Sequence, residues 1–460
     1  MKKVRCISLC LCILLLFSLS CVPAAAAASE PELEAKAALL LDPDTGEVLY
    51  ERRASEKMYP ASLTKVMTAL LVLEAVNEGK FTLSTTVTAP AAAFANLDSL
   101  GSTSGLEVGE TLTVEQLLAC MLINSANEAA SILALTVDET EAAFVQHMND
   151  KAAELGCTGT HFVNPTGLHD ADHYTTCWDL YTITAAAMAY PEFMELCNSK
   201  SYELPATNKH EAKTLHSTNY LISNWRALGY LYSGAQGVKT GSTTEAGKCL
   251  ISTATRNDRS LFGVVLGSPD TVVCEENGKA VQRVGSFMDM HALFDFGFDN
   301  FSRCVLVKQE DAVAEADVAL SREVNYVVVQ PIRDVECLLP NDLTAENLTR
   351  TVSLSEETFL APISAGEEMG TLTFSYGETV YAEVPLIAMN DVSASLILTI
   401  HYNIIHFFSK TPVQILCLIL LLLGIFFFIV HHGRTRNRHH GTPQRPARGY
   451  RGRGRPRRPF

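Results

Sequence analysis

Three short motifs carry chemistry-bearing side chains in order along the chain: Ser62-Leu-Thr-Lys65, Ser125-Ala-Asn127 and Lys239-Thr-Gly241. Any one of them is weak, because a serine three residues before a lysine is common and usually marks a solvated helix face. Together they describe a nucleophile and its helpers. A hydroxyl is a poor nucleophile at neutral pH and needs an adjacent base, and a lysine partly buried beside other cations can lose its proton and act as one. Ser125 could relay a proton to a leaving amine, and Asn127 could both donate to and accept from a peptide amide while holding Lys65 in place. Lys239 supplies positive charge and Thr240 a hydroxyl, together a seat for a terminal carboxylate. Gly241 would let a substrate backbone approach a sheet edge without meeting a Cβ, as strand addition requires.

These residues need elements to position them, and the patterning supplies them. Leu63–Val76 is apolar on most sides and helix-length, so it reads as a helix buried inside a domain with Ser62 at its entrance. Unpaired backbone N–H groups and the positive dipole end are available there, and Lys65 returns to the same face one turn on. Ser125 and Asn127 fall at a break between helical patterns over Val114–Ile123 and Glu128–Leu135, with further helices expected at Thr140–Leu155 and Trp178–Ala189. Strand patterns flank the turn Pro43-Asp-Thr-Gly46 and return at Cys249–Thr255 and Leu261–Leu266. Strands at both ends with helices between them predict an α/β sandwich, one largely antiparallel sheet covered by helices. From Cys304 onward the strands are short and alternating, at Cys304–Val307, Tyr326–Val329, Thr351–Leu354, Thr371–Tyr376 and Thr379–Val384. They predict a small all-β domain, most simply a spacer.

The three motifs, 63 and 114 residues apart, resemble those of the active-site-serine penicillin-binding enzymes and β-lactamases. The surrounding text narrows the likeness. Tyr59-Pro-Ala-Ser-Leu-Thr-Lys65, His161-Phe-Val-Asn-Pro-Thr-Gly-Leu168 and Gly237-Val-Lys-Thr-Gly-Ser-Thr-Thr-Glu-Ala-Gly247 are similar to the low-molecular-mass D-alanyl-D-alanine carboxypeptidases, over roughly Lys36 to Phe298. The resemblance implies a β-lactamase/transpeptidase-like sandwich and acylation of Ser62 by the penultimate D-alanine of a peptidoglycan stem peptide. The terminal D-alanine is then released, and water frees the enzyme. It implies penicillins as covalent inhibitors, no cofactor and no metal, and an oxyanion hole built partly from the Ser62 amide, with Thr243 as the expected second donor. Glu128 stands where the family often has aspartate, a change expected to leave catalysis untouched.

The chain ends place the protein. Lys2, Lys3 and Arg5, the apolar run Ile7–Leu19 and the small residues Ala24–Ala28 read as a secretory leader over residues 1–28. Cys21 stands where lipidation would need a cysteine, but Ser18 occupies a place usually held by leucine. Residues 413–430 are apolar except for Gln414 and just long enough to span a bilayer. The acid-free, arginine-rich tail of residues 431–460 is cytoplasmic by the positive-inside rule, with lipid headgroups its expected contact. Between leader and anchor the expected order is a catalytic domain at 29–298, the all-β domain at 299–395 and a juxtamembrane linker at 396–412.

The net charge of −15 includes +3 in the first twenty residues and +10 in the tail, so residues 21–430 carry about −28. So acidic an exterior argues against nucleic acid as a ligand, despite the Arg-Gly-Arg-Gly-Arg run at Arg451–Arg455. Eight cysteines, Cys120, Cys157, Cys177, Cys197, Cys249, Cys274, Cys304 and Cys337, lie outside the terminal segments with no zinc-like spacing, and their pairing is open.

Rival readings remain. His169-Asp-Ala-Asp-His173 has an i, i+4 histidine pair that invites a metal, but its composition is that of a loop. A β-lactamase would add a glutamate to activate the deacylating water, for which only Glu192 and Glu195 offer themselves. An endopeptidase shares the acylation with a bulkier leaving amine, and a wall-binding scaffold would keep the fold without the chemistry.

Overall fold

The structure, a computed structural model, describes residues 30–98, 101–276 and 279–436. The expected leader, Cys21 and most of the basic tail lie outside the described residues. The chain divides into two compact units, one reaching Leu306 and taking in Glu336–Leu348, the other made of Val307–Val335 and the residues from Thr349 onward.

The first unit is built on a five-stranded antiparallel sheet of β1 (Ala37–Leu41), β2 (Val48–Arg52), β3 (Ala235–Thr243), β4 (Gly247–Arg256) and β5 (Arg259–Ser268), in the order β2-β1-β5-β4-β3. Strand side chains alternate between faces, and here both faces are covered. Ala37, Leu39 and Leu41 of β1 enter one core cluster with Ile251 and Val264, while Ala38 and Leu40 enter the other with Leu250 and Val265. This is why β1 reads Ala-Ala-Leu-Leu-Leu without polar alternation. Each fully buried leucine contributes roughly 1.5–3 kcal/mol.

On the first face lie α1 (Lys65–Asn77), α2 (Val114–Ile123), α3 (Asn127–Val137), α4 (Glu141–Glu154), α5 (Cys177–Met188) and α6 (Pro191–Cys197). The other face is covered by α7 (Gly285–Asn300), which buries Phe287, Met290, Leu293 and Phe294. Helix α1 is buried from Lys65 through Leu73, the hydrophobic-all-round pattern of a central helix. Its entrance differs from expectation: Ser62 sits not in the first α-turn but in a tighter 3-10 turn, Ala61–Thr64, that leads into it. Helix α2 starts at a capping box in which Thr113 Oγ1 accepts from Gln116 N and Gln116 Oε1 accepts from Thr113 N.

The second unit carries a six-stranded sheet of β6 (Ala314–Ala319), β7 (Tyr326–Pro331), β8 (Thr349–Leu354), β9 (Phe359–Leu360), β10 (Glu368–Tyr376) and β11 (Thr379–Ala388), in the order β8-β10-β11-β7-β6-β9. Burial alternates along it, with Leu372, Phe374, Val384 and Leu386 turned inward. A separate two-stranded sheet, Phe301–Val307 with Val335–Pro340, falls in the first unit except for its end residues Val307 and Val335. The segment expected as a linker forms helix α8 (Leu396–Ser409), because fourteen residues pass without a glycine or proline to break it. Helix α9 (Thr411–Arg436) follows, and within it Thr411–His431 is the one helix among the described residues long and apolar enough to cross a membrane.

Candidate active site

The site assembles where the entrance to α1, the α2–α3 turn and the outer edge of β3 meet. Ala61, just before Ser62, adopts φ +48°, a left-handed conformation unusual for a residue with a Cβ. Two features hold that turn from behind. Gly167 packs so close that a Cβ there would fall 1.8 Å from the Ala61 carbonyl oxygen, and Thr64 Oγ1 donates to the same oxygen at 2.9 Å. Behind Thr64 stands His173, whose Nδ1 accepts from Val163 N (3.1 Å). Its Nε2 therefore carries the proton and donates to Thr64 Oγ1 at 2.8 Å. Burial pushes His173 down to about 4, so it is neutral at ordinary pH.

Lys65 is fully buried. Its Nζ lies 2.9 Å from Ser62 Oγ, 2.7 Å from Asn127 Oδ1 and 2.6 Å from the Thr166 carbonyl oxygen. The last two partners can only accept. A neutral amine has two N–H bonds and one lone pair, so donating to both acceptors aims the lone pair at the Ser62 hydroxyl. Burial first, and the positive charge of Lys239 second, hold Lys65 well below the usual lysine range, against a smaller opposing effect of Glu128. The group nearest the hydroxyl is thus conditioned to be a base.

Ser125 occupies the turn between α2 and α3 with φ +64°, a conformation that a serine holds only under tertiary constraint. Its Oγ accepts from Lys239 Nζ at 2.9 Å, and burial brings Lys239 down to about 7. Thr240 Oγ1 is 2.6 Å from Thr218 Oγ1. A cleft of about 280 Å³ is lined by Ser62, Ser102, Ser125, Thr218, Thr240 and Ser242, among others.

All eight residues singled out from the sequence therefore lie near one another, with two differences in detail. Thr243 does not line the cleft: it ends β3, where its Oγ1 accepts from Ala246 N at 3.0 Å, and Ser242 lines the cleft instead. Gly241 makes room for the serine turn itself, since a Cβ there would lie 2.9 Å from Pro60 O and 3.1 Å from Ser62 N.

Other cleft residues carry no sequence motif. Thr218 is set beside β3 by Asn219, whose Nδ2 donates to the Gly237 carbonyl oxygen at 2.5 Å; a buried asparagine is the only signal that could have found it. Glu128 is not idle either. Its Oε1 accepts from Thr103 Oγ1 at 2.8 Å and Ser104 N at 2.7 Å, which fixes the loop that carries Ser102. Neither Glu192 nor Glu195 lines the cleft. His169 stands edge-on to Tyr59, and among the described residues no cluster of His, Cys, Asp or Glu could hold a metal. Cys120, Cys157, Cys177, Cys197, Cys249, Cys304 and Cys337 carry free thiols.

A serine joined to a buried lysine, set beside the open edge of an antiparallel sheet, defines an active-site-serine acyl hydrolase of the penicillin-binding kind. Residues 24–270 match the family described as D-alanyl-D-alanine carboxypeptidase (Peptidase_S11), and residues 301–394 match penicillin-binding protein 5, C-terminal domain. D-alanyl-D-alanine carboxypeptidase DacF of Bacillus subtilis is 31% identical over 367 residues, 80% of this chain and 88% of that one. A D-alanyl-D-alanine endopeptidase of Pseudomonas aeruginosa is 35% identical over 234 residues, 50% of this chain and 70% of that one. The crystal structure of penicillin binding protein 5 from Haemophilus influenzae has a TM-score of 0.61 at 25% identity, over 79% of this chain and 99% of that one. The chain belongs to the D-alanyl-D-alanine carboxypeptidase family, serine peptidases of the penicillin-binding type.

Proposed function

We propose that Ser62 is the acyl-ester nucleophile of this carboxypeptidase and that Lys65 is its base. The stem peptide adds antiparallel to the open edge of β3, its terminal carboxylate received by Lys239 and Thr240. Ser62 Oγ attacks the penultimate D-alanyl carbonyl while its proton passes to Lys65 Nζ. The Ser62 amide and, in place of Thr243, the Ser242 amide receive the oxyanion. As the C–N bond breaks, the Ser125 hydroxyl donates its proton to the departing D-alanine and takes in its place the proton that Lys65 removed from Ser62, which returns Lys65 to a neutral amine, with Asn127 holding both the substrate amide and Lys65. Water, deprotonated by Lys65, then cleaves the ester. A β-lactam follows the same path to the acyl-enzyme, but its leaving nitrogen stays tethered.

The reading is carried by the position of Lys65 Nζ, 2.9 Å from Ser62 Oγ with its other two partners acceptors only. Residues 29–298 serve as the catalytic domain and residues 299–395 as the spacer. Helix α9 spans the cell membrane, the catalytic domain is extracytoplasmic and the basic tail cytoplasmic, supported by the apolar length of Thr411–His431. The test is D-alanine release from a diacyl-L-lysyl-D-alanyl-D-alanine tripeptide, with fluorescent penicillin labelling, for wild type and Ser62→Ala. Both signals should vanish in the variant; either one persisting moves the nucleophile elsewhere.

A further inference from the structure

The geometry points to Arg226 as the residue that closes the leaving-group end of the cleft and so restricts this enzyme to a single terminal D-alanine. The inference rests on the binding direction just proposed. A peptide that runs antiparallel to β3 has its upstream residues beside Ser242 and its C-terminus beside Lys239 and Thr240. Whatever follows the scissile bond must leave between Ser125 on one side and Thr218 on the other. The next residues outward on those two chains are Asn124, which precedes Ser125, and His216, which ends the strand Lys213–His216 two residues before Thr218.

Arg226 bridges them. Its Nη2 donates to Asn124 Oδ1 at 2.6 Å and to the His216 carbonyl oxygen at 3.1 Å. The neighbouring Trp225 stacks on the His216 ring with centroids 3.6 Å apart and planes 6° from parallel, while the indole remains 64% exposed. On the proposed binding direction, this guanidinium and stacked aromatic pair lie beyond the lining residues Ser125 and Thr218, across the exit. A free D-alanine carries only a methyl and a carboxylate past Thr240. A cross-linked stem peptide leaves as an amine bearing a whole second stem, which needs the space that Arg226 occupies. The reaction itself is unchanged: the same C–N bond breaks, and the same proton passes to the departing nitrogen.

The experiment compares release of D-alanine from the tripeptide with cleavage of a purified cross-linked muropeptide dimer, using the full-length protein in detergent. Wild type, Arg226→Ala, Arg226→Lys and Trp225→Ala are measured, each with fluorescent penicillin labelling. Wild type should favour the tripeptide, and Arg226→Ala should raise the dimer-to-tripeptide ratio at least tenfold with labelling retained. Trp225→Ala should raise it less, and Arg226→Lys should stay near wild type. An unchanged ratio in Arg226→Ala, or a wild type that cleaves the dimer as fast as the tripeptide, overturns the assignment. Loss of penicillin labelling in Arg226→Ala overturns it too, because Arg226 then supports the Ser125 turn. A wild type that neither releases D-alanine nor takes the label would instead refute the underlying carboxypeptidase reading.

Discussion

A Cβ built on Gly241 would lie 3.1 Å from the amide nitrogen of Ser62, two residues that the chain brings together from 179 positions apart. The obstruction is backbone, which cannot swing aside like a long side chain. Gly241→Ala should therefore push the edge strand away from the serine turn. Displacement by a fraction of an ångström to an ångström costs on the order of 100-fold in rate. Stopped-flow acylation by a chromogenic β-lactam should show that loss in a folded protein; a rate within twofold of wild type would mean that the turn can yield.

Lys65→Met keeps the apolar stem and removes the amine. General-base assistance is worth about 100- to 10,000-fold, so the second-order rate of penicillin acylation should fall by that much. Circular dichroism would show whether the fold persists. A folded Lys65→Met that acylates at the wild-type rate removes Lys65 from the base role.

Lys239, brought down to about 7 by burial, is an ammonium below that pH and increasingly a neutral amine above it. A seat that relies on its charge weakens as pH rises. KM for the carboxylate-ended tripeptide should climb from pH 7 to pH 9, whereas the same peptide ending in an amide should bind weakly throughout. A carboxylate substrate with a flat KM over that range would show that Thr240 and Thr218 suffice.

His173 offers a separate pH test. Its folded value, about 4, lies below the ordinary imidazole value of 6.5, so the unfolded chain binds the extra proton first. The stabilisation is whole above about 6.5 and is lost as pH falls from there toward 4. The shift is worth about 3 kcal/mol at most. Melting curves should show wild type losing more stability than His173→Gln between pH 7 and pH 4.5; parallel losses would sink the idea.

The sequence revealed the site better than its surroundings, for a physical reason. Ser62, Lys65, Ser125, Asn127, Lys239 and Gly241 each stand in a local pattern, a helix entrance, a break between helices or a strand edge, which spacing alone displays. The strand segments Cys249–Thr255 and Leu261–Leu266 were legible for the same reason, and they form the cores of β4 and β5. Thr218, Ser102 and Arg226 take their places through pairings across 22 to 102 residues, and no local period records those. Thr243, the expected second oxyanion donor, does not line the cleft, whereas Ser242 one residue before it does, an offset that no local pattern displays. His173 was read as part of a metal lure, and only the packing of Thr64 against it turns that histidine into a prop.

Two residues at the reacting corner, Ala61 and Ser125, keep positive φ with a Cβ present. Such conformations cost of order 1–3 kcal/mol each, a substantial share of the 5–15 kcal/mol that holds a typical domain together. The tension is concentrated on the two turns that carry Ser62 and Ser125. A lineage selected only for thermal endurance would find its easiest gains by relaxing those turns, and would drift toward a sturdier protein that no longer cuts. The corner that makes the enzyme useful to the cell, and vulnerable to penicillin, is therefore also the place where hardiness and activity trade against each other.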